Sequence, residues 1–272
     1  MFKKASHLIK TEEEIELIRI SSLLVGKTLA LIASHLKPGI KTITLDRLAE
    51  TFIRDQGARP VFKGYHGFPA SICISVNEEV VHGIPGNREL KEADIVSVDC
   101  GIEKNGFIGD SAYTFALQGA SEENIRLLQV THECLNKAIM QAVAGNRVGD
   151  ISHAIQQHAE ANSYGVVREL VGHGVGRMLH EKPEVPNYGK RGSGMLLKEG
   201  MVLAIEPMIN RGKRNVRTLN DQWTVVTADG LPAAHFEHTV VVKKAPCEIL
   251  TSFKEIMEAE KQNKNLNINH HL

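Results

Sequence analysis

Two nine-residue segments of this chain match in length and in the position of a closing acid: 91–99 reads KEADIVSVD and 198–206 reads KEGMVLAIE. A histidine-glycine pair precedes each, His82-Gly83 and His173-Gly174, and two helical patterns precede each pair. Thr11-Glu12-Glu13-Glu14 is a capping box opening a long helix that stops near Lys37-Pro38-Gly39, and a second helix is predicted from about Leu45 to Gln56. In the second half Ser121-Glu122-Glu123 opens a helix ending near Gly145, and another runs from about Asp150 to Asn162. The order helix, helix, histidine, acid-ended strand, second acid therefore occurs twice. Such a chain is constrained to an α/β (α+β) fold of two similar halves, about 11–118 and 121–252, related by a pseudo-twofold around antiparallel sheet. No Pro/Ser-rich linker or charge block divides the 272 residues, so a single domain, 1–272, is expected. The Asn-rich end of the segment 253–272 reads as a frayed tail.

The closing acids are the unusual feature of the repeat. Asp99 ends the apolar run Ile95-Val96-Ser97-Val98, and Glu206 ends Met201-Val202-Leu203-Ala204-Ile205. A carboxylate at the end of a buried strand is costly unless it is paired or binds a metal. Between Asp99 and Asp110 stands Asn105-Gly106, a strong two-residue hairpin signal. With that loop, Lys104 pairs with Phe107, Gly101 with Asp110 and Asp99 with Ala112. Asp99 and Asp110 become diagonal neighbours on one face, roughly 7–8 Å apart at the backbone. Two inward carboxylates at that separation can flank metal ions about 3.5–4 Å apart. On the opposite face Val96, Val98 and Cys100 meet Phe115, Tyr113 and Ser111. Joined by His173 and Glu237, the acids form a four-carboxylate, one-imidazole set, which suits two bridged divalent ions better than a structural zinc held by cysteine and histidine. Taken alone, the hairpin acids are equally compatible with solvated groups beside an exposed turn.

Bulk properties remove several classes of function. Lys+Arg and Asp+Glu both number 32, so the molecule has no overall bias toward nucleic acid. Cys73, Cys100, Cys134 and Cys247 show no CxxC spacing, which fits a reduced, cytoplasmic chain. Met1-Phe2-Lys3-Lys4 leads into a charged helix without an apolar leader, and no run has the length of a membrane span.

At these residues the chain resembles the type I methionine aminopeptidases, bacterial-type enzymes of the pita-bread fold shared with prolidases and creatinase. The resemblance covers about residues 10–252 and rests on YHGFP (65–69), CISVNE (73–78), HGIP (82–85), VDCG (98–101), GDSAYTF (109–115), GHGVG (172–176), IEPM (205–208) and FEHT (236–239). It implies that Asp99 chelates one ion, that Asp110 and Glu237 bridge two, and that His173 and Glu206 bind the other. The ions, of cobalt, manganese, iron or zinc, would activate a water for attack on the carbonyl after a first methionine when the second residue is small. Glu206 would carry the proton to the leaving amine or serve as ligand only. His82 would contact the scissile amide and His180 would stabilise the tetrahedral intermediate, the alternative for each being a structural histidine. His173 and His180 lie seven residues apart, on opposite faces of a regular strand, but the interposed Gly174 and Gly176 suggest an irregular hairpin that turns both inward. The resemblance places Tyr65, Phe68, Cys73, Leu179 and Trp223 around the methionine side chain. Phe62, Phe68 and Leu179 depart from the residues common at those positions, which changes the pocket's shape. A monomer is expected.

Two other readings compete. Proline-directed peptidases of the same fold usually carry an extra N-terminal domain, and a non-catalytic adaptor would have lost ligands, whereas all five are present here. The short span from His180 to Glu206 leaves no room for the helical insert of type II enzymes. Arg211, Lys213, Arg214 and Arg217 form a basic tip beside the Glu206 strand, expected either to contact ribosomal RNA or simply to be solvated.

Overall fold

The computed structural model describes residues 8–267, so the reading of Met1–Lys4 and the last part of the 253–272 tail lie outside the described residues. Helix α1 (Glu12–His35) starts where the capping box predicts: Thr11 Oγ1 accepts from the Glu14 amide at 3.2 Å and Glu14 Oε2 accepts from the Thr11 amide at 3.1 Å. Helix α2 (Thr42–Asp55) begins three residues earlier than its pattern suggests. Its cap is not local. The Thr42 and Ile43 amides donate to the carbonyls of Arg88 and Gly86, so a distant loop satisfies the helix end. Helix α3 (Glu122–Ile139), capped by Ser121, stops short of Gly145 because the Ala144 and Gly145 amides are drawn to the carbonyls of Lys243 and Leu197. Helix α4 (Val148–Ala161) completes the second pair.

The hairpin has the predicted register. Strands Ile95–Lys104 and Phe107–Ala116 pair Lys104 with Phe107, Gly101 with Asp110 and Asp99 with Ala112. Asn105 and Gly106 both have positive φ, 56° and 78°, as this tight turn requires. Cys73–Val76 flanks the first hairpin strand and sets Cys73 opposite Asp99. In the second half, Val202–Ile205 is sandwiched between Val171–Gly174 and His238–Val241 in a five-stranded antiparallel sheet. Helix α1 lies against the hairpin and buries Ile15, Ile18, Val25, Leu29 and Ile32, each worth roughly 1.5–3 kcal/mol when fully removed from water.

The halves are sewn together along Phe107–Ala116 and the segment 233–241. Glu237 donates its amide to the Ala112 carbonyl at 2.9 Å, and on either side hydroxyls replace the regular ladder. Ser111 Oγ donates to the Glu237 carbonyl at 2.6 Å and Thr239 Oγ1 to the Asp110 carbonyl at 2.8 Å, while Thr114 Oγ1 donates to the His235 carbonyl at 2.6 Å. Asp110 and Glu237 thus come together across the seam.

The expectation of a frayed tail is corrected over its described part. Helix α5 (Lys254–Gln262) packs on α1, and Leu266 is fully buried. Asn263 Nδ2 donates to the carbonyls of Ala33 and Leu36, both at 2.7 Å, so an asparagine from the end of the chain caps the end of α1. Asparagine content alone suggested solvation, but here the amide satisfies helix carbonyls that have no intrahelical partner. Replacing Asn263 with alanine is expected to cost about 1–3 kcal/mol, because it strands those carbonyls. Urea unfolding of the variant with an unchanged midpoint would show that the tail contributes nothing to the fold.

Candidate functional site

Both histidine-glycine pairs owe their form to close backbone approach. A Cβ on Gly83 would lie 2.2 Å from the Ile74 carbonyl oxygen, and one on Gly174 would lie 2.3 Å from that of Lys182. No side chain fits at either place. His82 takes a φ of 59°, a left-handed conformation uncommon for histidine, and His173 stands where the ladder with Glu181–Pro186 shifts register. That irregularity brings His180 back over His173, with the two rings edge to face at 4.4 Å, as the glycine spacing suggested.

Asp99, Asp110, His173, Glu206 and Glu237 converge on one cavity, with His82 and His180 at its rim. Asp110, His173 and Glu237 are buried, and one donor atom from each lies within 4.8 Å of the others. His173 Nε2 is 3.8 Å from Asp110 Oδ2 and 3.5 Å from Glu206 Oε1. Its Nδ1 pairs with the Gly174 carbonyl at 2.9 Å; with the proton placed there, Nε2 presents a lone pair to the carboxylates. Three carboxylate oxygens, Asp99 Oδ1, Asp110 Oδ1 and Glu237 Oε1, are buried without a hydrogen-bond partner. Orphaned acceptors of one sign in one place fit a divalent cation, and the donor set, oxygen-rich with one imidazole, fits it chemically.

Electrostatics agree with that fit. Burial raises Asp99 to about 7, the Glu206 charge adding to the rise and His235 opposing it, and burial raises Glu206 to about 8. Asp110 and Glu237 are also pushed well up, first by burial and then by neighbouring carboxylates. Asp99 and Glu206 still border the cavity, but both lie deep in the protein mass. Burial lowers His173 to about 3, with His180 adding to the effect, so its ring is neutral and ready to ligate.

An apolar wall closes the other side of the cavity, built by Phe62, Tyr65, Phe68, Cys73, Leu179 and Trp223. Phe68 meets Trp223 edge to face at 5.1 Å, and the Tyr65 hydroxyl pairs with His180 Nδ1 at 2.7 Å. Burial, then the charge of Asp99, pushes the Cys73 thiol well up, so it acts as a neutral wall atom. Every residue singled out from the sequence for metal or substrate lines this one cavity. One residue was missed: His235, 1% exposed, with Nε2 3.6 Å from Glu206 Oε2. The signal was present, since His235 and Glu237 are two apart in an extended segment and so share a face.

The raised acids predict how metal and pH act on the protein. Without cations, the folded state holds protons that unfolded carboxylates of ordinary value, 3.8 and 4.5, would release. The buried histidines oppose this below their ordinary value of 6.5, since His82 and His173, lowered to about 4 and about 3, shed protons that the unfolded chain keeps; above 6.5 the carboxylates dominate, and stability of the metal-free protein should fall as pH rises through 7 and 8. Cations displace these protons, so their apparent affinity should tighten over the same range. Thermal melts of metal-free and manganese-loaded protein between pH 6.5 and 8.5 check both; a metal-free melting temperature that rises over that range would contradict the proposed proton load.

Comparison with known proteins follows the geometry. A family model described as metallopeptidase family M24 matches residues 16–244. The chain is 53% identical over 247 residues to a methionine aminopeptidase of Clostridium perfringens, covering 91% of this chain and 99% of that one. A crystal structure of methionine aminopeptidase from Rickettsia prowazekii superposes with a TM-score of 0.88 at 41% identity, covering 93% of this chain and all of the other. A Xaa-Pro dipeptidase from Bacillus anthracis has a TM-score of 0.74 at 20% identity, and the match covers 90% of this chain and 62% of the longer one, so it shares the pita-bread fold. With the family match spanning most of the described residues and a buried cluster suited to divalent ions at its centre, this chain belongs to the M24 metallopeptidases.

Proposed function

We propose that this protein is a type I methionine aminopeptidase, removing the first methionine from peptides and nascent chains whose second residue is small. The observation that carries the reading is the apolar wall standing directly against the carboxylate cluster, so that a side chain entering the pocket brings its own carbonyl to the acids. The proposed holders of two divalent ions are Asp99, Asp110, His173, Glu206 and Glu237. When bound, the ions supply Lewis acidity and a water of lowered pKa.

The chain's own groups do the rest. The wall from Phe62 to Trp223 takes the thioether, and the neutral Cys73 thiol adds no charge to it. A free, unprotonated α-amine could join the carboxylates and His173 as a further donor to such an ion, which would restrict the site to N-termini. Glu206 accepts the proton of the attacking water and hands it to the leaving amine. His82, lowered to about 4 by burial and by His235 and His180, stays neutral at the scissile amide. His180 is steadied by the Tyr65 hydroxyl: with the phenol donating to Nδ1, its Nε2–H faces the substrate oxygen on which charge develops. Residues 1–272 would act as one catalytic domain with halves of about 11–118 and 121–252, as a monomer in the cytoplasm.

Glu206→Gln is expected to lower kcat on Met-Ala-Ser by about 10²–10⁴. The metal-loaded wild type should release methionine from that peptide and leave Ala-Pro untouched. Release of alanine from Ala-Pro at a comparable rate would favour the proline-directed alternative.

The basic tip is proposed to hold the pocket near ribosomal RNA. Arg211 is turned inward to Glu123 and Asn124, at 3.1 Å each, whereas the side chains of Lys213, Arg214 and Arg217 belong to exposed residues. Changing those three to glutamate should weaken cosedimentation with ribosomes at low salt and leave Met-Ala-Ser hydrolysis intact. Equal cosedimentation of variant and wild type would reduce the tip to a solvated surface.

A further inference from the structure

His235 has no part in the reaction described above, yet its placement is among the most constrained at the site. It ends the strand Ala233–His235, opposite Met208, and one side chain holds both of its backbone groups. Its amide donates to Thr114 Oγ1 at 2.9 Å, and that hydroxyl donates to the His235 carbonyl at 2.6 Å. The only proton on Thr114 Oγ1 is thereby committed, so Ser97 Oγ, 2.8 Å away, must donate to it. Thr114 is fully buried and Ser97 nearly so, and this polar clamp fixes where the His235 ring can point.

The ring points at Glu206. Nε2 is buried, has no hydrogen-bond partner, and stands 3.6 Å from Glu206 Oε2, while Oε1 of the same carboxylate faces His173 Nε2 at 3.5 Å. Two imidazoles therefore bracket the carboxylate. His173 has a partner on Nδ1 that turns its lone pair toward the cluster, as a ligand requires. Among the described residues no hydrogen bond at Nδ1 of His235 does the same, and a buried Nε2 left unpaired is costly. An Nε2 carrying its proton meets an acceptor in Oε2, whereas an Nε2 without one would set its lone pair against a carboxylate.

We infer that His235 is a positioning residue for Glu206, aiming Nε2–H at Oε2 across 3.6 Å, a contact too long for a hydrogen bond but one that orients the carboxylate electrostatically, so that Oε1 is the oxygen left to face the cluster and the attacking water. The inference rests on reading Glu206 as the proton carrier. A donor on the outer oxygen restricts rotation of the carboxylate and fixes which oxygen takes the proton. Its loss should act on turnover rather than on substrate binding.

His235→Gln retains an N–H donor and His235→Leu removes it. Leucine is expected to lower kcat on Met-Ala-Ser about tenfold to a hundredfold with KM changed less than about twofold, and glutamine to recover most of the loss. Both should keep the wild-type content of manganese by elemental analysis. Full turnover in the leucine variant, or glutamine performing no better than leucine, overturns the inference; so does loss of an ion, which would make the ring a ligand. Imidazole ¹⁵N shifts of the wild-type protein test it without any substitution: an Nε2–H tautomer for His235 is expected, and an Nδ1–H tautomer sinks it whether or not the leucine variant folds. Glu206→Gln assayed alongside separates the two ideas, because an active Glu206→Gln protein refutes the proton-carrier reading, while the tautomer and metal content still judge His235.

Discussion

The seam between Phe107–Ala116 and the segment 233–241 is the constraint on which the rest of the site depends. One backbone bond, from Glu237 to Ala112, crosses it at the centre, and Ser111, Thr114 and Thr239 carry the pairing beyond. The reason is topological. Ala233–His235 pairs with Met208–Asn210, whereas His238–Val241 pairs with Val202–Ile205, so the chain changes sheets at Phe236-Glu237 and cannot sustain a regular ladder to the hairpin. Buried backbone groups that leave a ladder still need partners, and short hydroxyl side chains supply them. On the hairpin strand Asp110 and Ala112 share a face, and the Ala112 carbonyl receives the Glu237 amide, so Asp110 stands beside Glu237.

Once the seam is closed, the electrostatic problem follows. Asp99 and Asp110 arrive from one half, Glu206 and Glu237 from the other, in a volume where water cannot screen them. The orphaned oxygens and the upward shift of all four carboxylates are two expressions of that crowding. A structure selected only for stability would place apolar side chains here, since buried acids without partners destabilise. The cluster is tolerable as a cation site. Its two-half construction also explains why the repeated segments keep an acid at the same place while the intervening residues diverge.

What was legible from sequence was whatever local chemistry decides. The hairpin register follows from Asn105-Gly106 and period-two alternation, and the starts of α1 and α3 follow from their own capping residues. The early start of α2 was hidden because Arg88 and Gly86 provide the cap, and the end of α3 because Lys243 and Leu197 compete for its following amides. The tail was misread for the same reason: Asn263 and Leu266 look like solvent-seeking chain until α1 and the strand Phe107–Ala116 are in place to receive them. The gathered site was legible through motif resemblance more than through spacing, since nothing in the spacing of Tyr65, Leu179 and Trp223 says that they share a wall. The alternation that puts His235 and Glu237 on one face is visible in the sequence, but nothing in it says that the ring meets Glu206, which comes from a different strand.

The loop carrying Leu179 and His180 shows how the pocket is kept rigid without regular structure. Glu181 Oε1 accepts the amides of Arg177 and Met178, and Glu181 Oε2 is 2.6 Å from Lys10 Nζ with both side chains nearly buried. Breaking such a buried pair by removing one partner typically costs 3–5 kcal/mol, far more than an exposed pair contributes. Arg177 in turn lies over the Phe107 ring at 4.2 Å and reaches Glu14 at 3.3 Å. The loop is therefore clamped by the arm before α1, by α1 itself and by the first hairpin residue after the turn. Glu14 and Phe107 belong to the first half and Lys10 directly precedes it, so a second-half loop that shapes the apolar wall takes much of its position from the half that supplies Asp99 and Asp110. Wall and acids share one reference frame, so under the proposed function a side chain seated against Leu179 would bring its carbonyl to the cluster without further adjustment of either half.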